Sequence, residues 1–176
     1  MAGAVAEVAT VGDVTTPSLD TVTTPLAGAP RPLREWLTTF HLVAVALDPY
    51  TRESAWILPT AVRVLGQFAG ASVRTTIVMA SDAADARAFL GPHADEFLVF
   101  ADPTRELVRT LGLAELPALV YLQSDGTVPA RAEGWSPAEW KRVAAHVAGV
   151  VSWKVPTIPA PGDPGSFRGS PALAAS

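Results

Sequence analysis

The sequence predicts an α/β domain built on one mixed sheet with helices on both faces. Three observations lead there. The continuous apolar run HLVAVAL at residues 41–47 has the pattern of a strand buried on both sides. Strand-like and helix-like segments alternate through the middle of the chain. The turn signal Ser124-Asp125-Gly126 then joins two strand-like runs into a hairpin before a last helix. At 176 residues the chain is long enough for one core with tails.

Taken in order, residues 1–30 hold Ala, Val, Thr, Gly and Pro with few charges and no aromatics, and are expected to form a flexible arm with room for a short strand. Pro32 precedes a short amphipathic helix over 33–39, and the strand 41–47 follows. Residues 52–68 read as a helix with Trp56, Val62 and Leu65 among its apolar positions. Pro59 inside it removes a backbone hydrogen bond and kinks it. The β-branched run 73–80 is a strand. Ser81 is placed to cap a helix that Gly91 and Pro92 stop, with Asp82 and Asp85 in its first turn. Residues 96–101 form a strand, and Pro103 opens a helix ending near Gly112. Strands over 118–123 and 127–133 make the hairpin. Ser136, Pro137 and Glu139 give a capping-box start to a helix reaching Val151. Residues 154–176 carry five prolines with Gly and Ser, an extended tail. Arm and tail can each dock on the domain or on a partner; composition favours solvated ends. The expected division is an arm 1–30, a domain 31–153 and a tail 154–176.

Composition excludes several classes. Apolar residues make up 49% and charged residues 17%, too apolar for a wholly disordered chain. No apolar run approaches the ~20 residues of a spanning helix. A net charge of −4 disfavours nucleic acid. Cysteine is absent, which removes thiol redox chemistry, thiolate metal sites and disulfides. His41, His93 and His146 lie far apart without metal-ligand spacing. Asp48, Asp82, Asp85 and Asp102 could gather around a hard cation, but capping and loop roles explain them more simply. No metal and no cofactor are expected. The first thirty residues lack Lys, Arg and an apolar core before a cleavage site, so the expected setting is cytoplasmic.

Three local features give a resemblance. Leu116-Pro117-Ala118 stands just before the strand ALVYLQ. The Asp125-Gly126 hairpin, Gly134 and the closing helix follow it. Tyr50-Thr51-Arg52-Glu53-Ser54 opens the helix that contains Pro59, five residues after Ser54. Over roughly residues 33–152 this order resembles the thioredoxin-like family. There the corresponding pieces are a cis-proline before a strand and a Trp-Cys-Gly-Pro-Cys motif followed by a kinking proline. The helix and strand within 82–101 look more like the longer peroxiredoxin and thiol-reductase branches.

The departures from that pattern define the functional expectation. The two cysteine positions fall on Thr51 and Ser54, whose hydroxyls stay protonated and cannot form a mixed disulfide. The family's buried carboxylate position falls on Val45, and the peroxiredoxin pattern Pro-x-x-x-Thr-x-x-Cys is absent. A nucleophilic hydroxyl needs a base, and no histidine is close in sequence. There is no Gly-x-Ser-x-Gly elbow, Walker motif or Gly-x-Gly-x-x-Gly.

What the resemblance leaves is a groove beside Pro117 that binds extended polypeptide, with Leu116 offering backbone contacts and Tyr50, Thr51, Arg52, Glu53 and Ser54 on the opposite rim. A rim bearing Arg52 and Glu53 suits specific recognition. Trp36, Trp56 and Trp140 read as core. Trp135 and Trp153 are candidate aromatic anchors for a partner, and Trp153 is equally placed to tuck the tail onto the domain. The expected function is a redox-inactive protein-binding module without enzyme activity, an adaptor or scaffold. Its implied partner is another protein, most concretely an Hsp70-type or other chaperone, with neither nucleic acid nor membrane. Two alternatives stay open: a hydrolase or transferase reusing Asp48, Thr51, Glu53 and Ser54, and a homo-oligomeric structural protein.

Overall fold

Strand β3 (His41–Leu47) lies inside the sheet because it has no polar face to turn to water: its last six residues are buried. The computed structural model describes residues 16–173. β3 pairs in parallel with β4 (Val73–Met79), which pairs in parallel with β5 (Leu98–Ala101). On its other side β3 pairs antiparallel with β7 (Ala118–Leu122), which forms the hairpin with β8 (Ala130–Glu133). At the far edge β1 (Val22–Pro25) pairs antiparallel with β5 and with the two-residue β2 (Arg31–Pro32). The result is a seven-stranded mixed sheet in the order β2-β1-β5-β4-β3-β7-β8.

Alternation along β3 sorts the core into two layers. Val43, Val45 and Leu47 pack with Ile57, Val64 and Leu65 of α2 (Arg52–Gly66) and with Trp140 and Val143 of α5 (Pro137–Val150). Leu42, Ala44 and Ala46 pack with Leu33 and Trp36 of α1 (Leu33–Trp36) and with Leu107 and Val108 of α4 (Glu106–Thr110). Helix α3 (Ala83–Leu90) connects β4 to β5, with Ala86 and Leu90 in the first of these layers. The expected mixed α/β architecture with helices on both faces is what forms.

Several local expectations change. The described part of segment 1–30 is not a loose arm. β1 covers what would be a bare edge at β5, and Thr23 and Pro25 turn inward. Thr23 is buried and accepts a 2.7 Å hydrogen bond from Trp36 Nε1. The buried face is built from Thr and Pro, so no apolar alternation announces it. Residues 1–15 lie outside the described residues. Asp82, not Ser81, caps α3, accepting from Asp85 N at 2.8 Å. Helix α4 starts at Glu106 rather than at Pro103. Asp102 is the reason: its carboxylate accepts from Leu107 N at 3.1 Å and Val108 N at 2.9 Å. Burial pushes the Asp102 carboxyl up from its ordinary value, against the pull of these backbone bonds. Helix 33–39 shortens to its first turn, and the second hairpin strand starts late, after the Asp125-Gly126-Thr127 turn and Pro129. Ser136 caps α5 as expected, accepting from Glu139 N.

Leu47 is fully buried at the end of the central strand. Leu47→Ala is expected to lower unfolding free energy by about 2–5 kcal/mol, while Lys141→Ala on the exposed face of α5 stays within about 0.5 kcal/mol. Urea denaturation of both variants checks this.

Candidate functional site

The loop of residues 48–54 runs from the end of β3 into α2, and its polar groups serve the backbone. Thr51 is the N-cap of α2: its Oγ1 accepts from Ser54 N at 3.4 Å and donates to Asp48 O at 3.0 Å. Ser54 is buried, and its Oγ accepts from Asp48 N at 2.9 Å. These are the two hydroxyls that the sequence resemblance assigns to a redox pair; both bond to main chain, and none of these contacts reaches a general base. Asp48 Oδ1 accepts from Tyr50 N at 2.9 Å. Tyr50 is exposed and its hydroxyl donates to Asp85, a bond that raises the Tyr50 pKa to about 12.

Asp48 is buried and has a charged partner from far along the chain. Arg105 Nη2 meets Asp48 Oδ2 at 2.7 Å, while Nη1 donates to Ala172 O at 2.6 Å. One guanidinium thus ties the end of β3, the start of α4 and the C-terminal segment together. Arg105 sits at φ +60, just before α4.

The main chain beside Pro117 is paired with the chain's own C-terminal segment. The Leu116-Pro117 peptide bond is cis. The short strand β6 (Glu115–Leu116) pairs antiparallel with β9 (Ser170–Pro171), Leu116 opposite Ser170. Ala172 N donates to Ala114 O at 2.8 Å. Further back, Trp135 and Phe167 exchange two backbone hydrogen bonds of 2.8 and 2.9 Å. Side chains fasten the same segment. Arg168 pairs with Glu115 at 2.8 Å, Ser170 hydrogen-bonds the Glu53 carboxyl, and the Phe167 ring stands edge-on to Trp56 at 5.6 Å. Against α2, Asp163 accepts from Thr60 Oγ1 at 2.8 Å and pairs with Arg63 at 2.7 Å. Thr157 bonds both Arg63 and Gln67. The expected extended tail is therefore laid along the domain from Trp153 to Ala172.

The sequence-predicted residues divide accordingly. Glu53 and Leu116 meet the C-terminal segment at Ser170; Thr51 and Ser54 bond within the 48–54 loop, Pro117 O accepts from Gly134 N, and Arg52 and Tyr50 stand exposed. Leu116 contributes main chain only, because its side chain is fully buried. Trp135 is not an exposed anchor: it is 1% exposed, with Nε1 donating to Pro164 O at 2.8 Å and its ring edge-on to Trp140. The overlying tail segment supplies that carbonyl. Trp153 is 37% exposed and donates to Gln67 O at 2.7 Å, fixing the start of the tail. Trp56, expected in the core, is 53% exposed because it lies off the stripe of Ile57, Ala61, Val64 and Leu65. Sequence reasoning missed Arg105, Asp163 and Phe167; the side-chain partners of the first two, Asp48 for Arg105 and Thr60 and Arg63 for Asp163, lie 57 or more residues away in the chain. Among the described residues no group of three or more acidic or histidine side chains is placed to hold a metal ion.

No protein-family model matches the sequence, and no curated protein matches it. Solved structures match its fold. A secreted Mycobacterium tuberculosis disulfide oxidoreductase homologous to E. coli DsbE aligns at TM-score 0.57 and 21% identity, over 72% of this chain and 96% of that one. A hypothetical protein from Sinorhizobium meliloti aligns at TM-score 0.65 and 15% identity, over 92% of this chain and 94% of that one. Xanthomonas campestris peroxiredoxin Q aligns at TM-score 0.59 and 15% identity, over 76% of this chain and 91% of that one. The fold is thioredoxin-like, and the chain has no cysteine with which to run that fold's thiol chemistry. No helix among the described residues is long and apolar enough to cross a membrane.

Two carboxyls that hold the tail have lowered pKa values. The Ser170 hydrogen bond is the main cause for Glu53. For Asp163, burial pushes upward but is outweighed by Ala160 N–H, the Thr60 hydroxyl and Arg63. A carboxyl with a depressed pKa in the docked state stabilises docking fully above its free pKa and loses that contribution as pH falls through the depressed value. Tail amides such as Ala172 N–H are therefore expected to lose exchange protection on acidification to about pH 3, while β3 amides keep theirs. Hydrogen exchange corrected for intrinsic rates measures both. Arg105→Lys, which cannot hold both arms of the fork, is expected to loosen the same tail amides at neutral pH.

Proposed function

We propose that this chain is a redox-inactive protein-binding module, an adaptor or scaffold subunit that docks an extended polypeptide segment and turns over no substrate. One observation carries the reading: the groove beside Pro117 holds a strand, Ser170–Pro171, by antiparallel backbone pairing at Glu115–Leu116. Backbone pairing gives affinity without demanding a particular sequence, and the surrounding side chains add selection. Arg52, Tyr50 and Trp56 remain exposed beside the groove, with both polar and aromatic contact area to offer. The absence of turnover is supported by Thr51 and Ser54, which are committed to capping α2 and bonding the loop main chain. The partner class that the fold analogy suggests is a protein of the quality-control machinery, an Hsp70-type or other chaperone.

Site-specific photo-crosslinking in the source cell tests the surface. A crosslinker at Trp56 or Arg52 is expected to trap a foreign protein, while one at the exposed Arg109 on α4, across the sheet from α2, traps none. Trp56→Ala is expected to weaken capture of that protein about tenfold or more. Adducts at Arg109 alone would place the interface on the other face.

A further inference from the structure

We infer that residues 167–172 are a built-in ligand that competes with partners for the groove, and that their pattern states what the groove accepts: an extended segment with an aromatic residue, a glycine two positions on, and a small apolar residue three beyond that. This rests on the groove reading above and specifies its ligand.

The groove sets each part of that pattern. Phe167 uses the exposed face of Trp56 as a platform. Position 169 has no room for any side chain: a Cβ there would stand 2.7 Å from Leu116 O and 2.9 Å from Glu115 Cβ. The opposing wall is equally close, since a Cβ on Gly134 would stand 2.9 Å from Gly169 N and 3.0 Å from Phe167 O. Main chain therefore passes between main chain on two sides, and only glycine fits. Ala172 is fully buried among Leu113, Leu116 and neighbouring apolar residues, and its carbonyl is taken by Arg105. Arg168, by contrast, is 91% exposed in its pair with Glu115, so a basic residue there helps without being required.

The segment rests on the fold more than it fills it. Within residues 164–173 only Ala172 is buried. The β6–β9 ladder is two residues long, and the charged contact at Glu115 is open to solvent. The connecting stretch contains Pro156, Pro159, Pro161 and Pro164, which keep it extended when the end is released. The two-residue ladder, the Trp135–Phe167 bridge and the buried Ala172 hold the strand at a local effective concentration, and a partner strand with the same pattern displaces it by mass action.

The test uses a fluorescent peptide of residues 164–173, the full-length chain and full-length Gly169→Val, read by anisotropy. Gly169→Val cannot seat its own tail and is expected to bind the peptide saturably and at least tenfold more tightly than the unaltered chain. Peptide carrying Gly169→Val is expected to bind neither protein, and peptide carrying Phe167→Ala to bind several-fold more weakly. Hydrogen exchange at Ala172 N–H reports whether the variant's tail has left. Equal affinity for both proteins would overturn the built-in ligand while leaving the groove reading intact. No binding to a folded variant whose tail is released would overturn both. A protected tail in Gly169→Val would overturn the glycine requirement. Should that variant not fold, the double variant Phe167→Ala with Arg168→Glu is expected to shift affinity in the same direction, and no shift would count against the inference.

Discussion

A strand that is apolar on both faces cannot rest against water on either side, and β3 is such a strand. Covering it takes two layers, α2 with α5 on one side and α1 with α4 on the other. Its parallel neighbours β4 and β5 then end along the same edge. Ala80 N reaches back to Leu47 O, and Asp102 N to Met79 O. The residues just past those strand ends, Asp48, Ala80 and Asp102, lie along that edge. In open α/β sheets this edge is where ligands bind, because chain segments diverge there and leave main-chain groups unpaired.

In a thiol enzyme of this fold the N-terminus of α2 would present a sulfur whose anion the helix dipole stabilises. Here Thr51 and Ser54 fill those positions and satisfy main-chain groups locally, so the helix end is closed rather than reactive. Arg105 brings a positive charge to the same place, but Asp48 neutralises it and Ala172 O takes the other arm. What the site shares with the fold's other members is shape: the cis Leu116-Pro117 bond, and the short strand β6 with β9 paired along its edge. The chemistry of the site is hydrogen bonding between backbones, with Trp56, Glu53 and Glu115 as side-chain contacts.

Much of the framework was legible in the residues. The 41–47 run, the Ser136-Pro137-Glu139 cap and the Asp125-Gly126 turn each act over a few residues, so local pattern was enough to place β3, α5 and the hairpin. Boundaries slipped where a side chain from outside the segment intervened, as with Asp102 delaying α4 and Asp82 replacing Ser81. A short strand in the first thirty residues was allowed for, but its place at the sheet edge was not legible because Thr23 and Pro25 form its buried face.

By itself the sequence determined the α/β architecture and the absence of thiol chemistry, since hydrophobic period and cysteine count need no partner to be read. It also offered Leu116, Pro117 and residues 50–54 as candidates for one binding groove, through a resemblance to a known fold. Only the tertiary structure decided what lies against Leu116. Phe167, Gly169 and Ala172 lie in a proline- and glycine-rich stretch whose composition predicts a solvated tail, and nothing local distinguishes them. Their roles come from Trp56, Gly134, Leu116 and Arg105, which are distant in the chain and adjacent only after β3 has been covered.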